Sequence, residues 1–344
     1  MKKYIVVIIL FTGLAGWQCS KLDKANLKES LQSSAEKINM AVDKISGTRG
    51  YELISVTGDE GKSGGCYTLI DKIELSMIAG IYDYQPDAFR HHHYFFPVSF
   101  FKRTGDDPHM IVNMPHRMIF RPKYLFNYCS CDPVVENNFK IDVSDYHLIN
   151  TDWITSDYKL VAGFTDDSEN IGGCEITSVS GKETGKSFSS KYTFTEGLSI
   201  AVNYVRGETT ESSFSLNEGD KVLLMEKTIF TRTDNKTVER QYILTIGNVD
   251  IKRSTGVDHI EVYLNGVLQQ NAAVVITDEG DEENSICRKR DLEIKYDDGT
   301  TAKLSELIGP AKEKLKSVVG SLGEMNFAKR IVDYIAISVY FDTH

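Results

Sequence analysis

The side chains best placed to do chemistry in this sequence are histidines: His91, His92 and His93 stand in a row, with His109 and His116 further on. On a strand successive residues point to opposite faces, so His91 and His93 can share a face and His92 cannot. A metal site would then need His109 or His116, or a carboxylate such as Asp106 or Asp107, to complete three or four ligands. His91, His93, His109 and His116 are therefore the candidate metal ligands. A solvated loop after Pro86 explains the same run without a metal, and no HExxH motif accompanies it, so no metal is expected.

Two acidic runs, Asp166, Asp167 and Glu169, and Glu279, Asp281, Glu282 and Glu283, offer oxygen ligands to calcium. They lack the ordered spacing and the glycine of an EF-hand, and solvated loops account for them. Gly61–Ser63 and Gly185–Ser187 both read GKS, but a phosphate loop needs a further glycine where Val56 and Ser180 stand, so both are expected to be turns. No GxSxG elbow or SxxK pair is present, and no catalytic residue or cofactor is assigned. Glycosidase carboxylates pair in space, not in sequence, so a hydrolase of polysaccharide or envelope components stays open as one reading.

The N-terminus carries a different kind of chemistry. Lys2 and Lys3 precede an apolar run from Tyr4 to Leu14, too short to cross a bilayer as a helix and suited to a secretory signal over residues 1–18. Cys19 follows, then Ser20, Lys21 and a polar stretch. This order resembles the signal of bacterial exported lipoproteins, which ends at a cysteine that receives the lipid. Gly16, Trp17 and Gln18 depart from that pattern, which places Leu three residues before the cysteine and small residues between. The resemblance implies lipid attachment at Cys19 and a cell-envelope location. An ordinary signal cut after Ala15 or Gly16 would leave Cys19 as a thiol instead.

Removal of the signal takes two lysines with it and moves the formal charge from −10 to −12. An acidic exported chain is a poor partner for phosphate backbones, so nucleic acid is excluded. Beside Cys19 there remain Cys66, Cys129, Cys131, Cys174 and Cys287, an odd number whose pairing the sequence does not fix.

The elements that must position these groups are mostly strands. Leu27, Leu31, Ala35, Ile38, Val42 and Ile45 recur at helical spacing and Gly47 stops them, which predicts one amphipathic helix. From Tyr51 the period falls to two, with β runs at Ile73 to Tyr84, Phe95 to Phe101, Met110 to Met114, Tyr158 to Phe164, Tyr192 to Val205, Val222 to Arg232, Val238 to Ile246 and beyond. Asn265-Gly266, Asp234-Asn235 and Asp298-Gly299 supply hairpin turns. Leu304 to Val319 reads as a helix and Phe327 to Tyr334 as a second, closing on an apolar strand at Ile335 to Phe341. The expected fold class is α+β, predominantly antiparallel sheet in two lobes, with an N-terminal amphipathic helix and C-terminal helices. The lobes are drawn at residues 19–155 and 156–344. Tyr51 to Cys66 and Tyr158 to Cys174 echo each other, and Ala273 to Cys287 partly so, each a strand-like run, an acidic loop and a cysteine.

His109 to Phe126 reads HMIVNMPHRMIFRPKYLF, an apolar, prolyl pair of strand-like runs after a helix and the strand ending at Tyr84. Over its first 130 residues or so the chain distantly resembles the periplasmic lipoprotein carriers, in which a helix precedes an incomplete antiparallel barrel. The resemblance implies a cavity lined by Met and Phe and suited to an apolar ligand. The expected function is a membrane-anchored, non-enzymatic envelope lipoprotein that binds an apolar small molecule or an envelope protein. The other class is a structural or adhesive surface protein of β-sandwich modules.

Overall fold

The computed structural model describes residues 26–51, 70–85, 101–116, 136–152, 155–182, 185–233, 237–257, 259–279, 289–296, 298–323 and 327–343. The signal, Cys19, His91, His93, the remaining cysteines apart from Cys174, the Asp234-Asn235 turn and the first and third echo loops lie outside them.

In chain order the elements are α1 (Leu27–Ser46), β1 (Lys72–Glu74), the single turn α2 (Leu75–Ile78), β2 (Gly80–Tyr84), β3 (Phe101–Gly105), β4 (Met110–Met114), β5 (Phe139–Asn150), β6 (Ser156–Asp166), β7 (Glu169–Gly181), β8 (Gly185–Thr193) and β9 (Leu198–Arg206). There follow β10 (Thr209–Glu218), β11 (Lys221–Thr233), β12 (Thr237–Ile246), β13 (Val249–Ser254), β14 (Glu261–Leu264), β15 (Val267–Leu268), β16 (Ala273–Glu279), β17 (Lys289–Lys295), β18 (Thr301–Lys303), α3 (Leu304–Gly323) and α4 (Phe327–Thr343). The protein is α+β and its sheet is antiparallel except where β2 and β4 pair in parallel.

Two expected elements differ. The run from Ile73 to Tyr84 is broken by the turn α2, and Ile335 to Phe341 continues α4 as helix. Alternation at Ile335, Ile337 and Val339 suggests a strand, but Ala328, Ile331, Val332, Ile335 and Ala336 are all buried at helical spacing, and their joint packing overrides the local β preference.

The chain groups into two compact units, Met1–Ser46 with Val202–Lys316, and Gly47–Ala201 with Ser317–His344. In the first, β10 to β15 form a six-stranded meander and α1 packs on β11, β12 and β13. Leu216, Leu224, Ile246, Val249 and Leu264 occupy one register row of that sheet and are removed from water, as are Leu31, Ile38 and Ile45 of α1. Each such side chain contributes roughly 1.5–3 kcal/mol before entropy is charged against it. The start of α1 is tied down by charge: Lys28 Nζ lies 3.1 Å from Asp298 Oδ2 and donates to Thr300 Oγ1 at 2.9 Å. Asp291 caps α3, accepting from the Ser305 amide and from Ser305 Oγ at 2.5 Å, where an anion suits the positive end of the helix.

In the second unit the sheet order is β3-β2-β4-β5-β6-β7-β8-β9, with β1 added beside β5. β5 and β6, on either side of residue 155, are register partners along their length. A bulge between Val143 and Asp145 resets the alternation of β5, so that Phe139, Ile141 and Val143 and then Tyr146 and Leu148 all face inward. Without the extra residue Asp145 and His147 would turn to the core. A second bulge, at Ile171, brings Gly172 opposite Phe164. Gly172 has φ +131°, and a Cβ there would lie 2.5 Å from the Thr193 carbonyl oxygen and 3.0 Å from the Tyr192 ring. Its bareness lets Tyr192 lie parallel to Phe164 at 5.8 Å, extending a row from Phe139 through Phe164 to Tyr192 and Phe194.

Gly172→Ala should therefore lower stability by about 2 kcal/mol or more in chemical denaturation. Gly163→Ala, where an added Cβ meets nothing within 4 Å, should leave the midpoint almost unchanged. Hydrogen bonds from the Thr300 hydroxyl and amide, aided by Lys28, hold the Asp298 carboxyl at about 2 against an ordinary 3.8. A depressed carboxyl stabilises the fold above its unfolded value and loses that contribution as pH falls through the folded one. The stability gap between wild type and Asp298→Asn is thus expected to be constant above about pH 4 and to close toward about pH 2, read as urea midpoints across that range.

Candidate functional site

The second unit gathers two polar clusters. At one end of the sheet Asp166, the last residue of β6, is nearly buried. Its Oδ2 lies 2.9 Å from Arg49 Nη1, and His116 Nδ1 lies 2.8 Å from its Oδ1, close in distance though without hydrogen-bond geometry. Arg49 also reaches Asp167 Oδ2 at 3.4 Å. Asn138 completes the group: its side chain accepts from the His116 amide at 2.9 Å and donates to Asp167 Oδ1 at 3.1 Å, while its carbonyl accepts from the Asp167 amide at 2.8 Å. The β6–β7 turn that presents Asp167 holds Asp167 and Ser168 at φ 46° and 69°, a hairpin turn made without glycine. Asp166, foremost among its neighbours, raises the pKa of the Arg49 guanidinium.

A carboxylate behind an imidazole is the arrangement that orients a general base. Here the same carboxylate is also held by Arg49, and Arg49 in turn by Asp167. The cluster ties four segments together: the turn after Gly47, the end of β4, the residue ahead of β5 and the β6–β7 hairpin.

The second cluster lies where α4 meets β5 and β6. Asp333, 3 % exposed, accepts from the Tyr146 hydroxyl at 3.1 Å and from the Tyr158 hydroxyl at 3.0 Å, both at Oδ1. Lys329, one helical turn earlier, donates to Oδ2, and its Nζ sits 4.0 Å from the centre of the Tyr158 ring. Burial pushes the Asp333 carboxyl above the ordinary range, opposed by Lys329 and by the two tyrosine hydrogen bonds. Burial, reinforced by Asp333, pushes the Tyr158 hydroxyl well up.

Of the four candidate metal ligands, His109 and His116 are among the described residues and they do not meet. They flank β4 at opposite ends, on the order of 20 Å apart at the rise of a strand. His109 Nδ1 pairs with Asp142 Oδ1 at 2.8 Å, while Asp106 is taken by Arg103 and Asp107 accepts from the His109 amide. Among the described residues no three His, Cys, Asp or Glu side chains gather as metal ligands. The calcium candidates Asp166 and Asp167 are drawn onto Arg49, with Glu169 exposed at the start of β7. Gly185–Ser187 opens β8, paired to β7 through Gly181 and Ser180. Cys174 is a buried thiol on β7.

Sequence reasoning brought up His116 and Asp166 for separate reasons and missed that they meet. It missed Arg49, Asn138, Tyr146, Tyr158, Lys329 and Asp333 altogether. An ionisable pair four residues apart in an apolar helix was the one signal available, at Lys329 and Asp333. Compared with protein families, with curated proteins and with solved structures, the chain matches none.

Asp166→Ala removes the buried carboxylate that Arg49 and His116 both approach and should cost more than the loss of Arg49. Arg49→Met, at a side chain 48 % exposed and screened by solvent, should cost the less of the two. Denaturation of the two variants side by side checks the order, and equal costs would mean that Asp166 is not the hub of the cluster.

Proposed function

We propose that this chain is an exported bacterial lipoprotein, held at a membrane by a lipid on Cys19, whose folded part is a non-enzymatic module that binds an apolar ligand or an envelope partner. The observation that carries the reading is the N-terminal sequence: two lysines, an apolar run ending at Leu14, then Cys19, with the first described helix beginning at Leu27. A lipid at Cys19 would sit eight residues ahead of the start of that helix. Among the described residues no helix is long and apolar enough to cross a membrane.

The folded part is read as two β-rich lobes. The compact grouping of the chain around a six-stranded meander and around a nine-stranded sheet supports this. Binding is favoured over catalysis because the buried Asp333 spends both oxygens on partners inside the fold and the buried Asp166 is drawn onto Arg49.

Intact mass of the protein from its native membrane fraction tests the anchor. The expected result is a mature N-terminus at Cys19 with an acylated mass, and release of the Cys19→Ala variant from the membrane. An unmodified chain beginning near Gly16 or Trp17 would make this a secreted protein without a lipid and remove the reading's main support.

A further inference from the structure

The two oxygens of Asp166 are treated differently. Oδ2 takes Arg49 at 2.9 Å. Oδ1 is buried and lies 2.8 Å from His116 Nδ1, yet it accepts no hydrogen bond among the described residues, so the nitrogen and the oxygen are close without pointing at one another. A second oxygen at this end of the sheet is in the same condition. β4 and β5 pair Met114 with Phe139, and the same antiparallel register carried two residues further sets His116 opposite Asn137, on the face that holds Phe139 and Asp166. The His116 amide, which donates to Asn138 Oδ1, keeps the two segments together there. The Asn137 side-chain amide donates to the Tyr84 carbonyl at 3.3 Å, which fixes the end of the group that carries the oxygen. That Oδ1 too is buried with no hydrogen-bond partner among the described residues. One imidazole nitrogen and two such oxygens thus share the end of the inner face.

Buried oxygens left without a donor are costly, and each calls for an explanation. Lone-pair atoms that converge with no proton aligned between them are what a metal ion requires. At metal–ligand distances of about 2.0–2.2 Å, a nitrogen and an oxygen 2.8 Å apart subtend about 85° at the ion, close to the right angle of octahedral coordination. The charge agrees. Asp166, Asp167 and Glu169 stand around Arg49, three carboxylates to one guanidinium, so with His116 neutral this end of the sheet holds two negative charges that a divalent ion balances. We propose that His116 Nδ1, Asp166 Oδ1 and Asn137 Oδ1 bind a divalent transition-metal ion, zinc or a neighbouring first-row metal, with Arg49 holding the far oxygen of Asp166 and Asn138 holding the segment of His116. The imidazole nitrogen selects such an ion over calcium and magnesium, which take oxygen ligands. Because the third ligand is an amide oxygen, no triplet of His, Cys, Asp and Glu marks the site. The way in is past His116, 22 % exposed at its side chain. The ion joins the end of β4, the approach to β5 and the end of β6, and so braces the polar cluster from within.

The test titrates the exported chain carrying Cys19→Ala, freed of metal by a chelator, with Zn2+ in a calorimeter and follows the thermal midpoint alongside. Zinc should bind in the micromolar range or tighter and raise the midpoint, and calcium and magnesium at the same concentration should do neither. His116→Gln and Asp166→Asn should each weaken zinc binding at least about tenfold. Asn137→Asp, which puts a carboxylate where the amide oxygen stood, should lower the midpoint of the metal-free chain and tighten zinc binding by about the same factor. A fold that has merely been damaged loses affinity in every variant, so the opposite signs separate a ligand from a structural residue. With Cu2+ as the probe, the electron paramagnetic resonance spectrum should carry the coupling of an imidazole nitrogen that vanishes in His116→Gln. Zinc bound with unchanged affinity by His116→Gln, or lost only with His91→Ala and His93→Ala, would put the metal elsewhere in the chain and overturn the site. A chain that binds no zinc would overturn it as well and leave the His116–Asp166 contact an ion pair only.

Discussion

A carboxylate taken out of water must find its partners inside the protein, and at Asp333 that requirement fixes the geometry of the second unit. An ionised carboxylate left bare in an apolar interior would cost several kcal/mol, so α4 docks only where Lys329 and two hydroxyls converge. Tyr158 reaches the carboxylate by ordinary alternation along β6. Tyr146 reaches it only because the bulge at Ser144 shifts the phase of β5 by one residue. The bulge, the tyrosine pair and the helix are thus one arrangement.

The other end of the same sheet obeys a steric constraint. Phe139, Phe164 and Tyr192 stack along a row that has to pass over β7, and a side chain on β7 at that level would separate the rings. Gly172 removes the obstacle, and Gly50 does the same from the other side, where an added Cβ would lie 2.9 Å from the Tyr192 hydroxyl. Arg49 is the neighbour of Gly50, so the turn that needs a bare backbone against Tyr192 is also the turn that brings a guanidinium to Asp166.

Much of the scaffold could be read from local pattern. The stripe from Leu27 to Ile45 gave α1, and Asn265-Gly266, with φ 50° and 79°, is the hairpin turn its residues call for. Where the reading failed, a long-range contact decided the outcome. Ile335 to Phe341 alternates like a strand and is helical because of what it packs against. Asp145 and Tyr146 look equally eligible for the core until the extra residue is counted. Arg49 and Asp166 are separated by more than a hundred residues, and neither sits in a motif. Charge clusters of this kind are set by topology, which a single sequence displays only once the pairing of the strands is known.

The order of elements along the chain has a kinetic consequence. α1, near the start, packs on β11, β12 and β13, and α4, at the end, on strands β1, β5 and β6. A chain that closes its first unit with its beginning and its second with its end has high contact order in both, and loop closure must be met before those contacts reward it. Until Lys221–Ser254 has emerged, Leu31, Ile38 and Ile45 have no apolar surface to cover them. Neither unit can be completed early in synthesis, so apolar faces of both stay uncovered until most of the chain has been made.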